Sequence, residues 1–98
     1  MEKRVPHCEL PRVKTLIDAG KVRATHTART TASLLGLDFK GMVAVVASLT
    51  MKDFYKSMTT HADHRIWQDV YHPQTSAGSI YLKLTVTEEV LIVSFKEL

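Results

Sequence analysis

Lys56, Gln68, Tyr81 and Lys96 offer two ammonium groups, an amide and a phenol, and Tyr55 and Met58 add an aromatic ring and a thioether beside Lys56. Such a set suits a polyanion, and the reaction it could run is cleavage of RNA. Without a metal, that reaction requires the 2′-hydroxyl to lose a proton, the phosphorane's added negative charge to be held, and the 5′-oxygen to gain a proton. Unperturbed amines and phenols titrate near ~10, so neither is poised as a base at neutral pH, although adjacent lysines lower each other's pKa.

These residues must be positioned by local structure, and the sequence changes period midway. Leu10, Val13, Leu16 and Ile17 recur at helical spacing behind Pro11 and ahead of Gly20, so a helix is expected from about Glu9 to Ala19. Lys21-Val22-Arg23 reads as a link. The threonine-rich stretch Thr27–Leu35, closed by Gly36, is a second helix with Ala28, Ala32 and Leu35 inward. Asp38 caps a third, whose face of Phe39, Met42, Val43, Val46 and Ala47 is apolar enough to place it centrally in the core. Thr50 and Asp53 are spaced as a capping box, which predicts a single helical turn.

From Phe54 onward apolar and polar residues alternate. Ile80, Leu82, Leu84 and Val86 form one buried row, and Leu91, Val93 and Phe95 a second, with Glu88 and Glu89 in the turn between them. Phe54–Thr60 and Ile66–His72 are two further strands, and Pro73–Gly78 is a loop. The expected architecture is a single α+β domain over residues 1–98, with three N-terminal helices on one face of a four-stranded, mainly antiparallel sheet. Tyr81, Lys83, Ser94 and Lys96 then point to the face away from the helices. Parity leaves open whether the first strand turns Tyr55 or Lys56 outward, and Gln68 joins that face only if Trp67 points into the core.

Composition narrows the class. At 98 residues, 45% hydrophobic and 23% charged, the chain is an ordinary globular domain rather than a disordered one. No apolar run approaches the ~20 residues of a membrane span, the first residues lack the apolar segment of a signal peptide, and the expected location is the cytoplasm. The lone Cys8 forms no internal disulfide, in keeping with a reducing compartment, and reads as a spectator thiol. The net charge of +3 is uneven: residues 1–49 carry eight Lys and Arg against four acids, and residues 50–98 carry five against six. A basic balance suits a phosphate-bearing partner. Glycine-rich phosphate loops, a nucleophile elbow and HExxH are absent.

Several longer motifs converge on one resemblance. Asp53-Phe54-Tyr55-Lys56-Ser57-Met58-Thr59-Thr60, Asp63-His64, Ile66-Trp67-Gln68-Asp69-Val70-Tyr71, Ile80-Tyr81-Leu82-Lys83 and Val90-Leu91-Ile92-Val93-Ser94-Phe95-Lys96 resemble the motility quorum-sensing regulator toxins. Leu37-Asp38-Phe39, Gly41-Met42 and the opening Met1-Glu2-Lys3-Arg4 extend the likeness from end to end. The resemblance implies a RelE-like fold and a sequence-specific messenger RNA interferase, the toxin half of a type II toxin and antitoxin pair. It implies cutting of free messenger RNA at short GC-containing sites, a cognate antitoxin from an adjacent gene, and contact with DNA only through that antitoxin. It places the functional positions on Lys56, Gln68, Tyr81 and Lys96, with Tyr55 and Met58 beside them. Where the family commonly has arginine after Val-Tyr, this chain has His72, which lacks the guanidinium fork for phosphate.

On the chemistry above, Lys56 and Lys96 hold the phosphate charge, Tyr81 exchanges a proton and Gln68 orients the nucleotide. Tyr55 and Met58 pack against an unpaired base. Trp67 and Phe95 read as core, and Asp69 as a group that fixes neighbouring backbone. His61, Asp63 and His64 match no zinc spacing and read as a polar hairpin turn, so no metal or other cofactor is assigned. Two rivals remain: an inactive protein that only binds its partner, and a winged-helix DNA-binding regulator, whose element order this chain shares. The regulator needs a polar, basic third helix, and the segment Lys40–Ser48 carries one charge.

Overall fold

The computed structural model describes residues 1–98. In chain order the elements are β1 (Glu2–Lys3), α1 (Leu10–Asp18), β2 (Val22–Ala24), α2 (His26–Leu34) and α3 (Phe39–Ala47). A 3-10 turn (Met51–Asp53) leads into β3 (Phe54–Thr59), β4 (Trp67–Tyr71), β5 (Gln74–Thr75), β6 (Gly78–Val86) and β7 (Val90–Glu97). The α+β class and the three helices are as expected, but the sheet has seven strands, ordered β1-β3-β4-β6-β7-β2 with β5 paired to β6.

The extra strands are short. β1 adds antiparallel to β3, and β2, read from sequence as a link, runs parallel to β7 with Arg23 opposite Leu91. β5 turns the expected Pro73–Gly78 loop into a small hairpin, Thr75 facing Gly78. Strands of two or three residues carry no readable alternation, and only their longer partners define them.

Local signals account for the helices. α1 ends on Gly20 at φ 75°, with the Lys21 amide donating to the Leu16 carbonyl and the Gly20 amide to that of Ile17. α2 starts one residue earlier than expected because Thr25 caps it, accepting from the Ala28 amide at 3.1 Å. Its threonines also tie it to β7: the Thr31 hydroxyl donates to the Phe95 carbonyl at 2.5 Å and the Thr25 hydroxyl to that of Val93 at 3.1 Å. Asp38 accepts from the Gly41 amide at 2.8 Å, and Asp53 accepts from the Thr50 amide at 2.9 Å.

Leu10, Val13, Leu16, Ala28, Ala32, Met42 and Val46 pack on Tyr71, Ile80, Leu82, Leu84, Val90, Ile92 and Phe95. The helices therefore cover one face of the sheet. α3 is less central than its composition suggests, burying only Met42 and Val46 while Ala44 and Ala47 are exposed. The expected buried row of Leu91, Val93 and Phe95 is also corrected. Lys83 pairs with Ser94 but Leu84 pairs with Ile92, so Val93 is an extra residue and the buried set is Val90, Ile92 and Phe95. A bulge breaks the period of two that a sequence reading assumes.

Candidate active site

A second bulge builds the site. Phe54 pairs with Tyr71 and Lys56 with Val70, which leaves Tyr55 unpaired in the ladder and turns both Tyr55 and Lys56 to the helix-free face. Registry then defines rows across the sheet. One runs Lys56, Val70, Lys83, Ser94, and Met58 faces Gln68 in the next. Tyr81 opposite Lys96 starts a third row, which His72 and Tyr55 complete: the Tyr55 and His72 rings stack at 4.4 Å and the His72 and Tyr81 rings lie 5.8 Å apart. All seven candidates, Tyr55, Lys56, Met58, Gln68, His72, Tyr81 and Lys96, thus lie on one face.

Each functional group is held by its neighbours. The Lys96 ammonium sits 5.3 Å from the Tyr81 ring centre and the Lys56 ammonium 5.5 Å from that of Tyr55, the range of cation–π attraction. The Gln68 amide donates to the Thr85 hydroxyl at 3.3 Å, spanning to β6. The His72 amide donates to the Asp53 carbonyl at 2.7 Å, which anchors the ring row at its start. Tyr55, at 44% exposure, and Lys96 are the exposed members of the set, and the other five are half-buried.

Two neighbours were not singled out from sequence. Glu2, carried by β1, accepts from the Lys56 ammonium at 2.5 Å, and Arg4 lies 5.9 Å from the Tyr55 ring. The Glu2 hydrogen bond raises the Lys56 pKa above the ordinary lysine value and lowers that of Glu2. Lys56 is therefore a charge holder and not the softened amine that neighbouring lysines would make. Lys83 is the amine whose pKa falls, first through burial and then through the Lys96 charge. Its spacing of two from Tyr81 was the readable signal; the Glu2 contact depends on a two-residue strand and had none.

Other residues are placed elsewhere. Trp67 is on the helix-side face but half-exposed, stacked on His7 at 5.5 Å beneath the Lys3 ammonium at 4.1 Å, so it anchors the N-terminal arm and is not core. Phe95 is fully buried. Asp69, 3% exposed, accepts from the His7 and Cys8 amides at 2.9 and 3.0 Å, the backbone-fixing role its sequence context suggested. Burial and the Asp69 charge raise the Cys8 pKa, which keeps that thiol unreactive. Asp63 is occupied by Arg65, whose Nε lies at 3.1 Å, in the turn before β4. The main surface cavity, lined by Lys21, Thr87, Glu88 and Glu89, is at the β6–β7 turn and not on the cationic face. A flat face with rings and ammonium groups fits an extended strand better than an enclosed small molecule.

Comparison with known proteins shows the family. The family described as motility quorum-sensing regulator, toxin of MqsA, matches residues 5–97. The chain belongs to this family. It is also 59% identical over 97 residues to the mRNA interferase toxin MqsR of Escherichia coli strain K12, covering 99% of both chains. The family match takes in every element from α1 to β7, and so all seven candidate residues, but not the two-residue strand β1.

Proposed function

We propose that this protein is an mRNA interferase, the toxin of a type II toxin and antitoxin pair with a RelE-like fold, which cuts single-stranded messenger RNA and so halts translation and growth. The observation that carries the reading is the pair of adjacent rows on the helix-free face, Tyr55-His72-Tyr81-Lys96 and Lys56-Val70-Lys83-Ser94. The 59% identity to a protein named as an mRNA interferase toxin supports it. The family description, toxin of MqsA, supports a cognate antitoxin as the protein partner. No single helix is long and apolar enough to cross a membrane. A messenger RNA substrate places the work in the cytoplasm.

In this reading an RNA strand lies across the rows. Its scissile phosphate sits over Lys56 and Lys96, whose ammonium groups stabilise the charge that builds on the phosphorane. Gln68, fixed by Thr85, orients the nucleotide, and Tyr55 and Met58 at the rim pack against an unstacked base. Tyr81 exchanges a proton with the reacting oxygens. The chemistry uses ammonium and phenol groups throughout, so cleavage survives removal of divalent metal. The cut falls on free messenger RNA at short GC-containing sites, and DNA is approached only through the antitoxin.

His72 contributes stacking and position within the ring row. Changing His72 to arginine retains a planar group that stacks on aromatic rings and adds a permanent charge. His72 is half-buried with its Nε2 enclosed, so the longer arginine must reach past the ring row to the surface. The His72→Arg variant is expected to cut RNA at an unchanged or faster rate with KM lowered about two- to five-fold, the scale of one added surface charge contact. Steady-state kinetics on a short RNA would check this, and a collapse of kcat would instead assign His72 to proton transfer.

The direct test incubates the purified chain with single-stranded RNA and with duplex DNA, each in excess chelator. RNA is expected to be cut and DNA to be neither cut nor retained. Intact RNA together with retained duplex would support the winged-helix regulator, and inertness toward both would support a protein that only binds its partner.

A further inference from the structure

We propose that Lys83 is a further catalytic residue of this face, whose neutral amine takes the proton from the attacking 2′-hydroxyl. The inference rests on the RNA-cleaving reading and deepens it by naming the base.

Lys83 occupies the middle of the face. It lies on β6, flanked in its row by Val70 of β4 and Ser94 of β7, with Tyr81 and Thr85 on either side along its own strand. The ionisable groups around it are Lys96 from β7, His72 after β4, Tyr81 from β6, and Lys56 and Tyr55 from β3 beyond Val70. The one carboxylate that β1 brings to this face, that of Glu2, is bound to Lys56. Lys83 is half-buried and forms neither a salt bridge nor a side-chain hydrogen bond, in contrast with Lys56.

A half-buried ammonium beside a second ammonium, without an anion to match, is disfavoured relative to the free amine. Burial and Lys96 accordingly lower its pKa, whereas Glu2 raises that of Lys56. The face therefore holds one amine that is biased toward the base form and one that is locked as a cation. This is the division of labour that in-line cleavage needs.

The step balances with the groups present. The lone pair of Lys83 Nζ takes the 2′-hydroxyl proton while the 2′-oxygen forms its bond to phosphorus. The bond from phosphorus to the 5′-oxygen then breaks, and that oxygen takes the Tyr81 phenol proton. A 2′,3′-cyclic phosphate and a 5′-hydroxyl result. The Lys83 ammonium then loses its proton and the Tyr81 phenolate gains one through solvent, which restores both.

The experiment compares the wild-type chain with Lys83→Arg, which keeps a long nitrogen-bearing side chain but is permanently charged and cannot become neutral. Rates on a short RNA are measured across pH, with the melting temperature of each protein. The wild type is expected to show kcat rising with pH to a plateau whose inflection lies below the ordinary lysine value. Lys83→Arg is expected to lose about 100-fold or more in kcat, with KM nearly unchanged and that inflection absent. An arginine variant within about five-fold of wild type, with the same inflection, would overturn the assignment to Lys83 and leave the nuclease reading standing. A wild-type chain that fails to cut RNA would remove both. Should Lys83→Arg not fold, an NMR titration of the wild-type Lys83 ammonium decides: a midpoint at or above the ordinary lysine value would overturn the proposal.

Discussion

Replacing Lys56 with methionine is expected to lower kcat/KM on single-stranded RNA by about 10²–10³-fold, the cost of removing one preorganised group aimed at developing charge. Methionine retains much of the side-chain volume, and Lys56 lies on the helix-free face, so the fold should survive. The size of the effect follows from the locked charge: the Glu2 hydrogen bond keeps the Lys56 amine protonated throughout the neutral range. The loss should consequently be nearly independent of pH from about 6 to 9, unlike the loss at Lys83. Steady-state kinetics would check both the size and the flatness. A variant that cuts within about three-fold of wild type would remove Lys56 from the site.

The second large effect is on stability. Changing Asp69 to alanine removes the acceptor for the His7 and Cys8 amides, one part-buried and one buried. Hydrogen bonds to a charged group are each worth about 1.5–3 kcal/mol, and an orphaned buried amide retains its desolvation cost, so a loss of about 3 kcal/mol is expected. For a chain of this length that corresponds to a fall of at least about 10 °C in melting temperature. The consequence reaches the site, because the released arm carries β1 and with it the Glu2 partner of Lys56. Asp69→Asn keeps one carbonyl acceptor and should fall between alanine and wild type. Calorimetry on the three proteins would check the order, and equal melting temperatures would show that the arm is held by other contacts.

The parts of the fold that were legible in sequence are those fixed by local chemistry. Asp38, Gly20 and Gly36 mark helix ends through side-chain capping and left-handed backbone, and each acts where expected. The long strands were readable from alternation in Ile80, Leu82 and Leu84, all buried. Features that depend on a partner were not: β1 and β2 exist only as additions to β3 and β7, and Trp67 is covered by an arm whose path local sequence does not specify.

Bulges set the other limit. The one at Val93 shifts the buried set on β7 by one residue, which parity could not anticipate. The one at Tyr55 answers the question parity left open, since both Tyr55 and Lys56 turn outward. Gln68 reaches the same face because Trp67 points to the other side of the sheet, though not into its core. The residue types of the site were legible in the sequence, whereas their common face required the registry.

The central claim is that this face cleaves RNA through its own 2′-hydroxyl, using amine and phenol groups alone. Mass spectrometry of the fragments from a short RNA, cut in excess chelator, tests it most directly. The account predicts 2′,3′-cyclic phosphate and 5′-hydroxyl ends, and no cutting when the nucleotide 5′ to the scissile phosphate is 2′-deoxy. Fragments with 5′-phosphate and 3′-hydroxyl ends, or a 2′-deoxy substrate cut as fast as RNA, would contradict it.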